Sequence, residues 1–333
     1  MDRSVKQLLF SLLLGLVFPV AVLNVDISGI GEGTLPTVPI QLVTEPSQTK
    51  PAETVPQVLL RYIPVLNREG TVELMALDDY ILGVVLAEMP ASFENEALKA
   101  QAVVARTYAL RRHTLADRHD SAAVCTDSGC CQAYVTVEYY LEHMGTQEDV
   151  EKIALAVEET SDEVLTYEGR LVESTYFSCS GGRTEDAAAV WGSDIAYLQA
   201  VDSPGEEGAS NFVNSVYFSA EAFAARLGRS LQGSPASWLG QTERTDGGGV
   251  KYAFIGGICY TGTQLRTMLD LNSTAFTMSA DEYGITVTTK GKGHRVGMSQ
   301  YGADAMALTG AGYQEILSYY YCGTIVDKLG DIG

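Results

Sequence analysis

The stretch that decides the fold is ILGVVLAEMPASFENEALKAQAVVARTYAL, residues 81–110. An acidic pair just upstream can cap a helix that begins at Tyr80. That helix must end near Glu88, because Pro90 disfavours the α conformation of the residue before it. A second helix is predicted from about residue 94 to about residue 113, with an apolar stripe of small residues at Leu98, Ala102, Ala105 and Ala109. Small side chains allow close packing, so we expect this helix to be central.

Outward from the helix pair, helices and strands are mixed. Upstream, strands are predicted at residues 57–66 and 71–77. Downstream, a long polar loop is predicted at 115–132, strands at 164–167, 171–177 and 285–290, and helices at 146–159, 220–227, 313–321 and from about 303. Because the order shows no regular βαβ rhythm, the predicted fold class is α+β, as a single large domain with a groove around the central helix.

Composition excludes one broad class of function. The chain has 333 residues, with 22 basic and 42 acidic side chains and a formal net charge of −20. Nucleic-acid-binding proteins normally carry a basic surplus, so we expect no nucleic-acid partner. An apolar fraction of 46% is typical of a globular chain with a substantial core.

The N-terminal segment predicts a membrane anchor. Residues 7–25 form an uncharged apolar run long enough to cross a bilayer, with basic residues before it and an acidic residue after it. The positive-inside rule then places residues 1–6 in the cytoplasm and the rest of the chain outside. A cleaved signal peptide and a buried soluble helix are the alternatives. Half of the ten prolines follow, so residues 26–56 are predicted to be an extended linker before an extracytoplasmic domain at 57–333.

Glu88 is the strongest candidate for acid–base chemistry. It follows an apolar helix and falls at the negative end of that helix's dipole. Both the dipole and apolar neighbours would raise the pKa of its carboxyl, which suits a general acid. The plain alternative is a surface glutamate at a frayed helix end. Lys99 and Arg106, seven residues apart on the next helix, share a face and would either line a groove near Glu88 or be solvated.

A second cluster lies in the loop RHDSAAVCTDSGCCQAY, residues 118–134. His119, Cys125 and Cys131 are residue types that bind Zn²⁺, with Cys130, water or a carboxylate as the fourth ligand. The spacing is irregular for a zinc finger, and adjacent cysteines do not easily ligate one ion together. A local disulfide and free thiols therefore stay open as alternatives.

Two glycine-rich segments, SCSGGR at 178–183 and GKGH at 291–294, bring small polar groups to a surface that suits a sugar chain or a peptide. Ser178 or Ser299 with His294 could form a hydroxyl nucleophile pair, although no G-x-S-x-G elbow supports it. Cys179 with His294 is a similar thiol option.

Three blocks together resemble the stage II sporulation protein D (SpoIID/LytB) family: residues 81–110, STYFSCSGGRTEDAAAVWGSDIAYLQAV at 174–201, and GKGHRVGMSQYGADAMALTGAGYQEIL at 291–317. The resemblance extends over about residues 58–325. It implies a peptidoglycan lytic transglycosylase, which cuts the β-1,4 bond between N-acetylmuramic acid and N-acetylglucosamine without water and leaves 1,6-anhydro ends. It also implies peptide-stripped glycan strands as substrate and a role in forespore engulfment. The implied partners are the amidase stage II sporulation protein P and the membrane protein stage II sporulation protein M.

The resemblance also assigns residues. Glu88 matches the family's catalytic glutamate. His119, Cys125 and Cys131 match the zinc ligands of some clostridial relatives, with Cys130 in place of a family histidine, and Arg295 replaces a usual glycine. Implied substrate-binding residues are Lys99, Gln101, Arg106, Tyr108, Ser178, Gly181, His294, Ser299, Gln300 and Tyr301.

Glu88 could perform the implied reaction alone, as acid towards the glycosidic oxygen and then as base towards the muramic 6-hydroxyl. A hydrolase would need a second carboxylate, for which Glu94, Glu96 and Glu173 are the candidates. The alternatives are a non-catalytic glycan-binding module, which would bind without cleaving, and a zinc or cysteine peptidase, which would depend on the metal cluster or on Cys179.

Overall fold

A computed structural model describes residues 61–331. The predicted membrane anchor at 7–25 and most of the predicted linker lie outside the described residues. Within residues 61–331, no helix is long and apolar enough to cross a membrane.

Helices and strands alternate without a regular repeat, as predicted for the α+β class. The helices are α1 (Leu77–Glu88), α2 (Asn95–Leu115), α3 (Val137–His143), α4 (Gln147–Glu159), α5 (Ala187–Trp191), α6 (Ala220–Arg226), α7 (Pro235–Trp238), α8 (Gly262–Leu269), α9 (Gln300–Leu308) and α10 (Tyr313–Tyr320). The strands are β1 (Tyr62–Leu66), β2 (Val72–Ala76), β3 (Val124–Cys125), β4 (Glu163–Tyr167), β5 (Arg170–Leu171), β6 (Tyr176–Phe177), β7 (Val213–Ser219), β8 (Leu239–Arg244), β9 (Val250–Ile255), β10 (Ile258–Thr261), β11 (Phe276–Ala280), β12 (Gly284–Lys290), β13 (Met298–Ser299) and β14 (Ile325–Lys328).

The prediction of a central helix is confirmed, because α2 is buried along nearly its whole length. It contacts α1, α4, α9 and α10 as well as β4. Alanines and valines at its contacts let these neighbours approach closely. The close approach extends to α1, where a Cβ at Gly83 would fall 2.3 Å from a ring carbon of Tyr134. The loop that follows residue 130 therefore lies directly against α1.

Small sheets flank the helices. In the main body their strand orders are β2-β1-β3, β14-β4-β5 and β13-β6, and the pairs β1–β3 and β13–β6 are parallel. The parallel pair β6–β13 brings Tyr176 and Phe177 beside Met298 and Ser299. Strands whose paired residues are 122 positions apart in the chain thereby form one edge of the site.

A segment of about residues 213–290 has a hydrophobic core of its own. Sheets of order β11-β12-β7 and β10-β9-β8 enclose it together with α6, α7 and α8. Phe223 and Trp238 stack within this core with ring centroids 6.4 Å apart, and Leu265 and Phe276 are buried beside them. Because this core is separate from the larger one around α2, the domain contains two packed centres. We call this segment the insert.

Several local expectations need correction. Helix α1 begins at Leu77 rather than Tyr80, with Ala76 at the cap position and no side-chain capping bond. The acidic pair lies in its first turn, where Asp78 accepts bonds from Arg106 instead of capping. The region predicted as one polar loop contains β3, which pairs with β1. The strands of the insert before β12 were not predicted, because β8 is mostly exposed and has no clear alternation of buried and exposed residues.

Candidate active site

A groove of about 960 Å³ opens where α1, α2, β6 and the glycine-rich loops converge. Its walls come from three parts of the sequence that the motifs had singled out. The lining combines two carboxylates with aromatic, basic and amide side chains and two thiols. It includes Glu88, Tyr108, Arg112, Cys130, Cys131, Gln132, Glu173, Tyr176, Phe177, Ser178, Trp191, Lys292, His294 and Gln300.

Glu88 is half-buried at the end of α1 and one of its oxygens is held by two donors. The backbone N–H of Ala133 donates to Oε1 over 2.9 Å, and the Tyr176 hydroxyl donates to the same atom over 3.3 Å. Burial raises the pKa of the Glu88 carboxyl, while these two bonds and the Gln300 side chain act in the opposite direction. The net effect is a raised pKa, as predicted from the sequence. Burial is the main cause of the higher pKa. The sequence predicted two causes, apolar neighbours and the helix dipole.

A line of hydrogen bonds supports that arrangement. The Tyr80 hydroxyl donates to Gln132 Oε1 over 3.3 Å, and Gln132 Nε2 donates to the Tyr176 hydroxyl over 3.1 Å. Because the Tyr176 oxygen already accepts from Gln132, its own proton is directed at Glu88. Burial raises the pKa of Tyr80 and Tyr176, so both remain protonated donors at neutral pH.

Glu173 is the other carboxylate in the groove and it is committed to two guanidinium groups. Arg111 Nε donates to Oε2 over 3.1 Å, and Arg112 Nη2 donates to Oε1. Two charge-assisted bonds occupy both oxygens of this carboxylate and leave it little freedom to act as a second catalytic group. Of the other predicted second carboxylates, Glu96 pairs with Lys99, and neither Glu94 nor Glu96 lines the groove.

Aromatic side chains form one wall. His294 lies between Phe177 and Trp191, with ring centroids 5.6 Å and 5.5 Å away, and Trp191 is 42% exposed. Burial lowers the pKa of His294 to about 4, so its imidazole is neutral at physiological pH. Its Nδ1 accepts the backbone N–H of Val296, which assigns the remaining proton to Nε2. An exposed indole beside a neutral imidazole is a suitable surface for the apolar face of a sugar.

A buried carboxylate fastens the first glycine-rich loop, residues 178–183, to the N-terminus of α9. Glu206 accepts from the backbone N–H groups of Ser180 and Gly181 and from the hydroxyls of Ser180, Ser203 and Ser299. Ser299 is therefore fully buried and also caps α9. Ser178 lines the groove, whereas Gly181 and Ser299 do not. Ser299 consequently holds the first loop and does not face the groove.

Arg295 stands in the left-handed backbone region with φ +67°, the conformation that glycine adopts most easily. Its buried guanidinium bonds Glu185 Oε1 over 3.1 Å, Ser180 O over 2.7 Å and Gly247 O over 2.8 Å. Although Arg295 stands where the family usually has a glycine, its backbone keeps a conformation that glycine favours. Its side chain also links the main body to the insert.

The structure does not bring all the implied substrate-binding residues together. Tyr108 and Gln300 line the groove, and Tyr108 has the Arg112 guanidinium 5.0 Å from its ring centre. Arg106 is fully buried and bonds Asp78 and the backbone carbonyls of residues 157, 160 and 163. The expectation that it either lines the groove or is solvated is therefore wrong, because α2 is buried on this face too.

Three further predicted positions lie outside the groove lining. Lys99 forms ion pairs with Glu96 and Glu159 at 2.8 Å and 2.7 Å. Gln101 is fully buried and its amide has no hydrogen-bond partner among residues 61–331. Tyr301 packs edge-on against Phe93 with ring centroids 4.9 Å apart. These three positions therefore do not form the surface of the groove.

The four predicted metal ligands converge. The donor atoms of His119, Cys125, Cys130 and Cys131 all lie within 4.8 Å of one another. His119 Nε2 is 3.4 Å from Cys131 Sγ and 3.8 Å from Cys130 Sγ, and the two adjacent sulfur atoms are 3.9 Å apart.

These spacings fit one tetrahedral ion. Around a zinc ion with Zn–S bonds of about 2.3 Å, neighbouring donor atoms are roughly 3.5–3.8 Å apart. The donor set of one imidazole and three thiols is one that Zn²⁺ favours, so this cluster can hold a metal ion. The expectation that Cys130 and Cys131 do not easily ligate one ion together is corrected, because the turn at residues 127–131 points both sulfur atoms towards His119.

The remaining cysteines offer no nucleophile to the groove. Cys179 is fully buried with Sγ 3.4 Å from Glu206 Oε2, and burial raises the pKa of its thiol to about 12. A buried thiol beside a carboxylate stays protonated, which disfavours the cysteine peptidase alternative. Cys259 and Cys322 are free thiols outside the groove.

Sequence reasoning missed the residues that orient Glu88. Tyr176 precedes the SCSGGR segment and Gln132 follows the last metal ligand, so both adjoined recognised motifs without being selected. Trp191 was quoted within a motif but given no role. Only the fold, through the β6–β13 pairing and the loop after β3, places these side chains near α1.

Sequence comparisons assign these features to a class of proteins. The profile of the SpoIID family, described as stage II sporulation protein, matches residues 66–167, the segment that holds α1, α2, Glu88 and the four metal-ligand candidates.

Individual relatives are similar to this chain over most of its length. Stage II sporulation protein D of Bacillus subtilis (strain 168) is 39% identical over 272 residues, which cover 80% of this chain and 79% of that protein. Stage II sporulation protein D of Bacillus amyloliquefaciens is 38% identical over 272 residues, covering 80% and 78%. The amidase enhancer of Bacillus subtilis (strain 168) is 30% identical over 302 residues, covering 73% of this chain and 39% of that protein. The chain belongs to the stage II sporulation protein D family, which confirms the resemblance.

Proposed function

We propose that this protein is a peptidoglycan lytic transglycosylase with Glu88 as its single acid–base residue. The observation that carries the proposal is the contrast between the two carboxylates of the groove. Glu88 has a raised pKa and no cationic partner among residues 61–331, whereas Glu173 is bound by two arginines. An ordinary glycoside hydrolase needs a second available carboxylate. A transglycosylase that uses the substrate's own hydroxyl does not.

The reaction uses the same carboxyl group twice, first as an acid and then as a base. Protonated Glu88 donates to the glycosidic oxygen, the bond from that oxygen to C1 of N-acetylmuramic acid breaks, and an oxocarbenium-like centre forms. The muramic 6-hydroxyl then attacks C1, and the Glu88 carboxylate takes the hydroxyl proton. The products are a free N-acetylglucosamine 4-hydroxyl and a 1,6-anhydro end, and the enzyme regains its starting protonation state.

The geometry around Glu88 suits this cycle. Ala133 N–H and Tyr176 O–H both bond Oε1, so Oε2 is the atom available to exchange the proton with substrate. The raised pKa favours the acid step, and the two donors stabilise the carboxylate that exists between the steps. Trp191 and His294 would support the sugar ring, and Gln300 would add an amide donor to the groove beside Glu88.

His119, Cys125, Cys130 and Cys131 would hold a zinc ion. When bound, the ion cross-links the loop that ends at Gln132 and Ala133, the two residues that reach Glu88 and Tyr176. Its contribution would be structural, because the donor set is the four-ligand type of structural zinc sites.

The biological setting is part of the proposal. We place the domain outside the cytoplasmic membrane, anchored by residues 7–25, where it acts on glycan strands during engulfment in sporulation. Strands already stripped of peptides require an amidase, so we propose the amidase stage II sporulation protein P and the membrane protein stage II sporulation protein M as partners. The similarity to a protein named amidase enhancer supports a functional link to amidases.

The decisive experiment is a digest of peptide-stripped glycan strands by residues 57–333, with products read by mass spectrometry. Anhydro ends that form with wild type and are lost in Glu88→Gln are the expected result, with a loss on the order of 10²-fold or more for general acid–base catalysis. Reducing ends would identify a hydrolase. Intact strands that co-sediment with a folded wild-type protein would identify a binding module.

A further inference from the structure

A second cavity, of about 380 Å³, lies on the other side of the glycine-rich loops and has no role in the proposed reaction. Its lining includes four cationic side chains, Arg183, Arg244, Lys290 and Arg295, and no carboxylate. The whole chain carries a net charge of −20, so this concentration of positive charge runs against the overall composition. We call it the basic cavity.

Two of the four charges are already paired. Arg183 bonds Asp202 over 2.5 Å, and Arg295 bonds Glu185 over 3.1 Å. Lys290 and Arg244 form no ion pair with any residue of the described range 61–331.

Arg244 is nevertheless held in place, because its guanidinium donates to the carbonyls of Gly248 and Phe276 over 2.8 Å and 2.9 Å. These carbonyls orient the group without neutralising it. The basic cavity therefore presents two uncompensated positive charges, one of them fixed in direction, which is the electrostatic pattern of an anion site.

The basic cavity and the groove share a wall. Cys179 and Lys292 exchange two backbone hydrogen bonds of 3.2 Å and 2.7 Å, which pair the two glycine-rich loops. Ser178 and Lys292 face the groove, whereas Gly181 and Lys290 face the basic cavity. Gly181 is three positions after Ser178, a span of at most about 11 Å. One extended polymer can therefore contact both.

We propose that the basic cavity binds the lactyl carboxylate of an N-acetylmuramic acid residue in a strand whose cleavage site occupies the groove. The proposal rests on the proposed function, since it assumes a glycan strand as substrate. When a peptide is removed at its amide bond to the lactyl group, a free carboxylate is left on that sugar. Lys290 and Arg244 would bind this carboxylate and not the neutral amide of a peptide-bearing strand. The basic cavity thus supplies a physical basis for a preference for stripped strands.

The test measures strand binding in the Glu88→Gln background, so that cleavage does not interfere. Lys290→Glu is the informative variant, because this exposed side chain makes no hydrogen bond or ion pair within residues 61–331 and its loss should leave the fold intact. Lys251→Glu is the matched control, an exposed lysine of the insert that lines neither cavity. The probes are stripped strands with free carboxylates, the same strands capped as methylamides, and a glycerol-phosphate oligomer as a competing anion.

The expected result is about fivefold weaker binding of free-carboxylate strands by Lys290→Glu, no change by Lys251→Glu, and no difference among variants on capped strands. Equal binding of free and capped strands by the parent protein would overturn the proposal. Displacement of strands by the glycerol-phosphate oligomer, at concentrations where acetate as a carboxylate control does not displace them, would also overturn the proposal. That result would indicate that the basic cavity binds phosphate. A parallel digest with the protein that retains Glu88 distinguishes the proposed reaction from the proposed carboxylate site. Absence of cleavage would refute the transglycosylase, whereas the binding measurement would still report on the basic cavity.

Discussion

Replacement of Tyr176 by phenylalanine isolates the hydrogen bond that tunes Glu88. The hydroxyl donates to Glu88 Oε1 over 3.3 Å, longer than the usual O–H···O distance of about 2.7–2.8 Å, so its net value lies near the lower end of the range, about 1 kcal/mol. One unit of pKa corresponds to about 1.36 kcal/mol. The change should therefore move the pKa of Glu88 by about 0.7 unit.

The direction follows from which protonation state the bond favours. The Tyr176 hydroxyl stabilises the ionised carboxylate and lowers the pKa of Glu88, so its removal raises that pKa further. The proposed reaction requires the protonated acid, and the alkaline limb of the pH profile of kcat/KM would report the loss of that form in the free enzyme. We expect that limb to move to higher pH by about 0.7 unit in Tyr176→Phe.

The assay is the release of anhydro ends from stripped strands across the pH range, with Tyr321→Phe as control. Tyr321 is buried and donates to Thr175 O over 2.7 Å, but it does not line the groove. Its loss should lower stability without moving the limb. A folded Tyr176→Phe enzyme whose alkaline limb stays in place, or moves to lower pH, would refute the reasoning about Glu88.

Three further predictions test other parts of the molecule. Because burial raises the folded-state pKa of Glu88, this group's contribution to stability is greatest below about pH 4.3 and is lost as the pH rises through the raised value. Glu88→Gln should therefore match the wild-type Tm in acid and exceed it at neutral pH in thermal melts, and a lower Tm at neutral pH would contradict the burial argument. Arg106→Met should lower the free energy of unfolding by about 1–3 kcal/mol, since it removes the donor of three buried backbone carbonyls, at residues 157, 160 and 163, as well as the cation beside the half-exposed Asp78. The kcat/KM of this variant, measured at a temperature where it is folded, should be unchanged. A tenfold lower kcat/KM would indicate that Arg106 acts in the reaction. Cys131→Ser should abolish saturable zinc binding in calorimetry and remove the rise in Tm that zinc produces, whereas the exposed Cys259→Ser should do neither. Equal zinc affinity in both variants would exclude the cluster as the metal site.

The local sequence predicts the elements around the groove well. Pro90 and the alanine stripe were enough to place α1 and α2, because helix termination and close packing depend on neighbouring residues. The raised pKa of Glu88 was predictable because its apolar neighbours are adjacent in sequence, whereas its catalytic role stays a prediction. The convergence of the His119, Cys125, Cys130 and Cys131 donor atoms was predictable because these residues fall within 13 positions, and metal binding by them stays a prediction.

Interactions between distant segments could not be predicted in this way. Tyr176 reaches Glu88 across 88 residues, and Gln132 reaches Tyr80 across 52. Arg106 was misplaced because helical periodicity shows which residues share a face but not which element covers that face. In the structure, the end of α4 supplies two of the carbonyls that bond Arg106 and draws its guanidinium into the core.

The separate core of the insert has a consequence for the thermodynamics of the whole domain. Two hydrophobic centres joined through the Arg295 network can open as distinct cooperative units, each with its own free energy of opening. The basic cavity takes its lining from both sides of that junction. A ligand bound there stabilises only the state in which the two units are docked, so strand binding and the opening of the insert are linked equilibria. Slower amide exchange in the insert when a strand is bound would be the direct signature of that linkage.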